Sequence, residues 1–143
     1  ERLGVATVFA LSRSLGAPRA LRSDGGLTPG TDCPAFAVAG IARPERFFKD
    51  LTAAGWPLTG TQIFRDHHAF SRADFNRIVR AARESDARVV LTTEKDAVRL
   101  ERFENEALPI LAVPLHVGIE PGFADWLASR ADLGRAGPLD RRA

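Results

Sequence analysis

"AFAVAGIARPERFF", residues 35–48, changes its hydrophobic period partway along. The first five residues are apolar without alternation, as expected of a strand covered on both faces. Residues 40–43 then form a loop. Pro44 follows where a helix favours its first residue, because proline has no N–H to leave unpaired there. From that point Phe47, Phe48, Leu51 and Ala54 fall on one helical face, and Gly55 stands where a left-handed residue ends a helix.

The same alternation continues downstream. Residues 58–64 (LTGTQIF) predict a second, less apolar strand nearer an edge. Ser71 and Asp74 resemble a capping pair opening a second helix, with Phe75, Ile78, Val79 and Ala82 as its buried stripe. Residues 88–91 predict a third strand, and 92–96 (TTEKD) lead into a short helix ending near Arg102. A fourth strand is expected over 110–115 and a last helix over 122–131, burying Phe123, Trp126 and Leu127. Trp56 and Trp126 read as core or half-buried packing residues. Upstream, residues 5–11 suggest a short strand and 12–32 an irregular surface segment. The expected organisation is an irregular or linker segment over 1–33, an α/β domain over 34–131 and a flexible tail over 132–143. Strand-helix alternation implies an α/β fold: a mostly parallel sheet of about four strands with helices on both faces and right-handed crossovers.

The bulk composition bounds the function. The 143 residues suffice for one domain with a core, and no apolar run approaches the ~20 residues of a membrane helix. A net charge of +2 is too small to argue for a nucleic-acid partner. Cys33 stands alone, so no internal disulfide is possible and a reducing compartment is expected. No secretory signal is recognisable after Glu1 and Arg2. The chain has no methionine, which suggests processing or a piece of a longer protein.

In such a sheet ligands bind beyond the carboxyl ends of the strands. Four loops are expected there: 40–43, 65–68, 92–96 and 116–120. The first three are rich in polar residues: Arg43, Arg65, Asp66, His67, His68, Thr92, Thr93, Glu94, Lys95 and Asp96. Asp66, His67 and His68 admit three explanations. Imidazole and carboxylate suit zinc or manganese, and the triplet is similar to the Asp-His-His motif of one phosphoesterase family. No other His, Cys or Asp cluster has recognisable ligand spacing, however. The residues can equally form a helix-entry turn in which Asp66 binds backbone N–H groups. Or Asp66 orients an imidazole that exchanges protons near neutral pH. Likewise, Thr93, Lys95 and Asp96 can favour an anion at a helix start, or serve as a cap and its ion pairs. Gly40 can admit a ligand close to the backbone or serve a tight strand exit. His116 reads as structural or exposed. The chain contains no GxxxxGK[ST] loop to hold a nucleoside triphosphate.

Taken together, "AFAVAGIARPERFFKDLTAAGWPLTGTQIFRDHHAFSRADF" (35–75) and "VVLTTEKDAVRL" (89–100) resemble the carboxy-terminal half of the tetraacyldisaccharide 4'-kinases, the lipid A 4'-kinases of Gram-negative bacteria. The resemblance covers roughly 34–126. It implies the smaller carboxy-terminal α/β domain of a P-loop-kinase-like enzyme. Such an enzyme moves the ATP γ-phosphate, with magnesium, to the 4'-hydroxyl of tetraacyldisaccharide 1-phosphate at the cytoplasmic face of the inner membrane. Both ATP and Mg2+ are then expected to be bound mainly by an amino-terminal domain, so this stretch alone is expected to be inactive. The functional histidine of the family follows the aspartate directly. The resemblance therefore implies His67 and Asp66 as catalytic, working with an aspartate of the other domain, and Thr93, Lys95 and Asp96 as cofactor-side support. The implied partners are the lipid A disaccharide precursor, the amino-terminal kinase domain and a peripheral membrane surface. A non-catalytic α/β docking module and a metal-dependent phosphoesterase using Asp66, His67 and His68 are the alternatives.

Overall fold

A computed structural model describes residues 7–21, 29–103 and 108–133. The chain divides into two units, Ser14–His116 and a smaller one made of Glu1–Arg13 with Val117–Ala143.

In the larger unit the expected α/β architecture is present. Strands β3 (Ala35–Ala39), β4 (Leu58–Ile63), β5 (Val89–Thr93) and β6 (Ile110–Val113) are parallel neighbours in a sheet of order β2-β6-β5-β3-β4. The short β2 (Arg19–Ala20) closes one edge antiparallel to β6. β4 holds the other edge, which explains its less apolar sequence. Strand periodicity sorts the core onto the two faces. Phe36, Val38 and Val90 face one side, with Phe75, Ile78 and Ala82 of α2 (Arg72–Glu84) and Leu100 of α3 (Glu94–Leu100). Ala35, Ala37, Ala39, Val89 and Leu91 face the other, with Phe47, Phe48 and Leu51 of α1 (Pro44–Ala53). The small alanines of β3 leave room for the two phenylalanine rings of α1. On the opposite face Phe36 lies over Gly60, where a Cβ would come within 2.7 Å of the ring. A register shift between Ala35 and Phe36 makes that placement possible.

The helix signals act as the sequence predicts. Pro44 lies in the first turn of α1, and Gly55, with φ +93°, follows its end. Ser71 and Asp74 form a reciprocal capping box at α2.

Several boundaries differ. The segment 1–33, expected to be irregular, contains β1 (Leu11–Leu15) and β2, and residues 7–10 precede the strand rather than forming it. Four of the five β1 residues are exposed, so no apolar pattern marks the strand. The expected strand over 110–115 is interrupted at Pro114, which lacks the N–H to continue a ladder. Beyond it β7 (Leu115–Ile119) pairs with β1 in a separate two-stranded ribbon. The fourth loop expected at 116–120 is therefore mostly strand, and His116 is exposed on it. Strand β5 runs two residues further than expected, through Thr92 and Thr93.

In the smaller unit the Glu120 N–H donates to the Ala10 carbonyl at 3.1 Å, and the Ala10 N–H to Glu120 Oε2 at 2.9 Å. Phe9 packs on Phe123 and Trp126 of α4 (Phe123–Leu133), with ring centroids 5.2 and 5.4 Å away. Leu127, expected to be buried, is half exposed, because the aromatic contacts use the Phe123 and Trp126 face. Residues 134–143 of the expected tail lie outside the described residues. Among the described residues no helix is long and apolar enough to cross a membrane.

Candidate functional site

Because β5, β3 and β4 are adjacent, the three polar loops that follow them are neighbours at one sheet edge. Asp96 ties two of them together. Its carboxylate is wholly buried, and Oδ2 accepts the Gly40 N–H at 2.8 Å and the Thr93 hydroxyl at 2.9 Å. The Thr93 hydroxyl in turn accepts the Asp96 N–H at 3.2 Å, capping α3. Arg99, one helical turn on, brings Nη1 to 3.5 Å from Asp96 Oδ1. Position 40 is tightly enclosed. An added Cβ would lie 3.3 Å from Asp96 Oδ1 and 3.4 Å from the Arg65 carbonyl oxygen. Gly40 is thus where the exits of β3 and β4 and the start of α3 meet. Arg43 and Arg65 are exposed on the same loops.

The third loop is joined through Asp66. Lys95 Nζ donates to Asp66 Oδ1 at 3.0 Å, across 29 residues of sequence. The same oxygen accepts the His67 N–H at 3.0 Å. The Lys95 hydrogen bond, foremost, holds the Asp66 carboxyl below its ordinary value, with the charge of His67 adding to it. His67 has φ +60°, in the left-handed region that costs a non-glycine residue about 1–2 kcal/mol. Its side chain is 71% exposed, with Nε2 3.7 Å from Asp66 Oδ2. Such strain persists only where neighbouring groups impose it: the His68 N–H donates to the Arg65 carbonyl at 3.0 Å and closes the turn, and the Asp66 bond to the His67 amide adds to it.

The adjacent histidine is differently placed. His68 Nε2 lies 2.9 Å from Asp74 Oδ2, and its ring packs against both Phe64 and Phe70 at 4.9 and 5.1 Å. Asp74 also accepts the N–H and hydroxyl of Ser71. His68 first, then these Ser71 bonds, depress the Asp74 carboxyl far below its ordinary value of 3.8. A depressed carboxyl contributes stability that is fully present above the unfolded value and lost as pH falls toward the folded one. Stability is therefore expected to decline below about pH 4, and Asp74→Asn to flatten that decline. Denaturation midpoints measured against pH check this; an unchanged acid slope in Asp74→Asn contradicts it.

The two histidines thus separate into a packed, bonded His68 and an exposed, braced His67. Asp66, His67 and His68 do not converge as a ligand set, since His68 turns to Asp74. Among the described residues no group of three or more His, Cys, Asp and Glu side chains is placed to hold a metal. The edge does not fit magnesium, which requires near-octahedral oxygen ligands: Asp66 is shared between Lys95 and the His67 amide, and Glu94 is paired with Arg19. Sequence reasoning missed Arg99 as the partner of Asp96, although their i, i+3 spacing on a helix was a usable signal. It also missed the two phenylalanines around His68, whose contact depends on the turn between β4 and α2.

A parallel-rich sheet with helices on both faces, and polar loops gathered at its carboxyl edge, defines the broad class of α/β proteins that bind ligands beyond their strand ends. Comparison with known proteins narrows this. The family described as LpxK, Tetraacyldisaccharide-1-P 4'-kinase, matches residues 6–132, and the chain belongs to this family. The match begins well upstream of Pro34, where the sequence resemblance was read to start. A tetraacyldisaccharide 4'-kinase of Methylobacterium nodulans is 42% identical over 109 residues, 76% of this chain and 31% of that protein. Its counterpart in Verminephrobacter eiseniae is 39% identical over 141 residues, 93% of this chain and 30% of that protein. The chain thus spans about a third of the length of these curated relatives. A crystal structure of LpxK from Aquifex aeolicus in complex with ATP shares the fold, with a TM-score of 0.50 and 21% identity over 91% of this chain and 38% of that one.

Proposed function

We propose that this chain supplies the carboxy-terminal lobe of a lipid A 4'-kinase and contributes His67 to a composite active site. The observation that carries the proposal is the exposed His67 imidazole on a braced left-handed turn, in a chain of this family. The acceptor is the 4'-hydroxyl of tetraacyldisaccharide 1-phosphate and the donor is ATP. The P-loop and the metal site belong to an amino-terminal lobe, consistent with the poor fit of this edge to magnesium. The reaction is placed at the cytoplasmic face of the inner membrane, with the enzyme in peripheral contact.

Phosphoryl transfer demands positioning and charge stabilisation more than covalent chemistry. His67 takes or shares the hydroxyl proton as the oxygen attacks phosphorus. Asp66 holds the His67 backbone, and its carboxylate favours the imidazolium that forms as the proton moves. Thr93 and Asp96 fix the start of α3 against Gly40 and so set the rim on which Lys95 and Asp66 meet. Closure of the two lobes brings His67 to the γ-phosphate and excludes water.

The test is reconstitution. Joining the chain to a P-loop-bearing amino-terminal lobe of the family is expected to give ATP-dependent phosphorylation of tetraacyldisaccharide 1-phosphate. Neither part alone is expected to turn over. A folded, joined protein without that activity would overturn the proposal.

A further inference from the structure

We propose that Lys95 is a positioning residue for phosphoryl transfer: by holding the Asp66 carboxylate it fixes the left-handed turn that presents His67. The inference deepens the role proposed for His67 and rests on it.

Five hydrogen bonds form a relay from the sheet to the His67 backbone. Gly40 and Thr93 grip the buried Asp96, which sets the first turn of α3. Lys95, in that turn, reaches Asp66 Oδ1 at 3.0 Å. Asp66 Oδ1 then accepts the His67 N–H, also at 3.0 Å. Two donors meet on one oxygen, so Lys95 and the His67 amide are coupled through a single atom. The Asp66 side chain is only 35% exposed and that of Lys95 41%, so the pair is partly shielded from water. Without Lys95, an aspartate facing solvent can turn to bind water, and the His67 amide loses its acceptor. A residue at φ +60° then has a reason to relax. Lys95 also offsets the Asp66 charge on a rim proposed to meet an anionic donor. Lys95 bears on the reacting atoms through Asp66, not by touching them.

The assignment separates from direct phosphate binding by Lys95 in what kinetics read. Misplacing a reacting group by about 1 Å costs up to about 10²-fold in rate. In the joined, active kinase, Lys95→Met is expected to lower kcat on the order of 10- to 100-fold, with the KM for ATP near the parental value. Lys95→Arg is expected to restore most of the loss. The double variant Lys95→Met/Asp66→Ala should be no slower than Asp66→Ala alone, since the two act as one unit. Hydrogen exchange at the His67 amide should quicken in Lys95→Met, a readout that does not depend on turnover. Parental kcat in Lys95→Met, a loss confined to the KM for ATP, additive losses in the double variant or an unchanged His67 exchange rate would each overturn the inference. Loss of activity in His67→Asn alongside a fully active Lys95→Met would sink Lys95 alone. A fully active His67→Asn would instead sink the proposed function, while the exchange rate would still judge the brace.

Discussion

Replacing His67 by asparagine in the joined kinase is expected to lower kcat by about 10²- to 10⁴-fold, the usual worth of a positioned acid or base. Asparagine is the informative substitute because it tolerates the left-handed backbone that His67 adopts at φ +60°. Alanine would mix backbone strain with loss of the imidazole. The exposed side chain makes no packing contact that folding requires, so thermal stability should stay near the parental value. His68→Asn should behave in the opposite sense. It removes a ring packed against Phe64 and Phe70 and bonded to Asp74, so stability falls while turnover by the folded fraction changes little. Steady-state kinetics and thermal melts on both variants check the pair. Equal kinetic effects would contradict the division of labour between the two histidines.

The second large effect falls on stability. Asp96→Ala is expected to cost about 3 kcal/mol or more, a fall in Tm on the order of 10 °C for a domain of this size. The carboxylate is wholly buried and accepts from Gly40 and Thr93, with Arg99 beside it. Alanine leaves a buried N–H and a buried hydroxyl without their acceptor and the Arg99 guanidinium without its opposite charge, which costs more than the bonds themselves contributed. Asp96→Asn keeps one acceptor oxygen and should cost less. Because Asp96 also sets the turn that carries Lys95, the surviving folded fraction should show reduced kcat as well. Chemical denaturation and kinetics on the two variants check this; a loss below about 1 kcal/mol for Asp96→Ala, no more than one ordinary hydrogen bond, would contradict the hub role.

Where burial was strong, the sequence disclosed the structure. The unbroken AFAVA run, Pro44, Gly55 and the Ser71–Asp74 box each state a local physical requirement, and each element formed as those requirements demand. Burial was weak in β1 and β7, whose residues are mostly exposed, and no periodic pattern marked them. Pro114 announced a break that the apolar residues around it concealed. Part of the site was also legible: strand alternation placed 65–68 and 92–96 at one edge, and the direct sequence neighbours Asp66 and His67 stood out. Their bond to Lys95 was not, because it depends on the strand order β5-β3-β4, which chain order does not reveal. Residue chemistry alone could not separate the two adjacent histidines; only the family resemblance pointed to His67. That distinction arises from a positive φ at one and an aromatic pair around the other.

Chemical rescue tests the central claim most directly. Glycine at position 67 accepts the left-handed backbone without strain and leaves space where the imidazole stood. The account predicts that His67→Gly in the joined kinase loses most of its turnover, and that free imidazole restores phosphorylation of tetraacyldisaccharide 1-phosphate in a saturable way. Turnover by His67→Gly equal to that of the parent, indifferent to added imidazole, would contradict it.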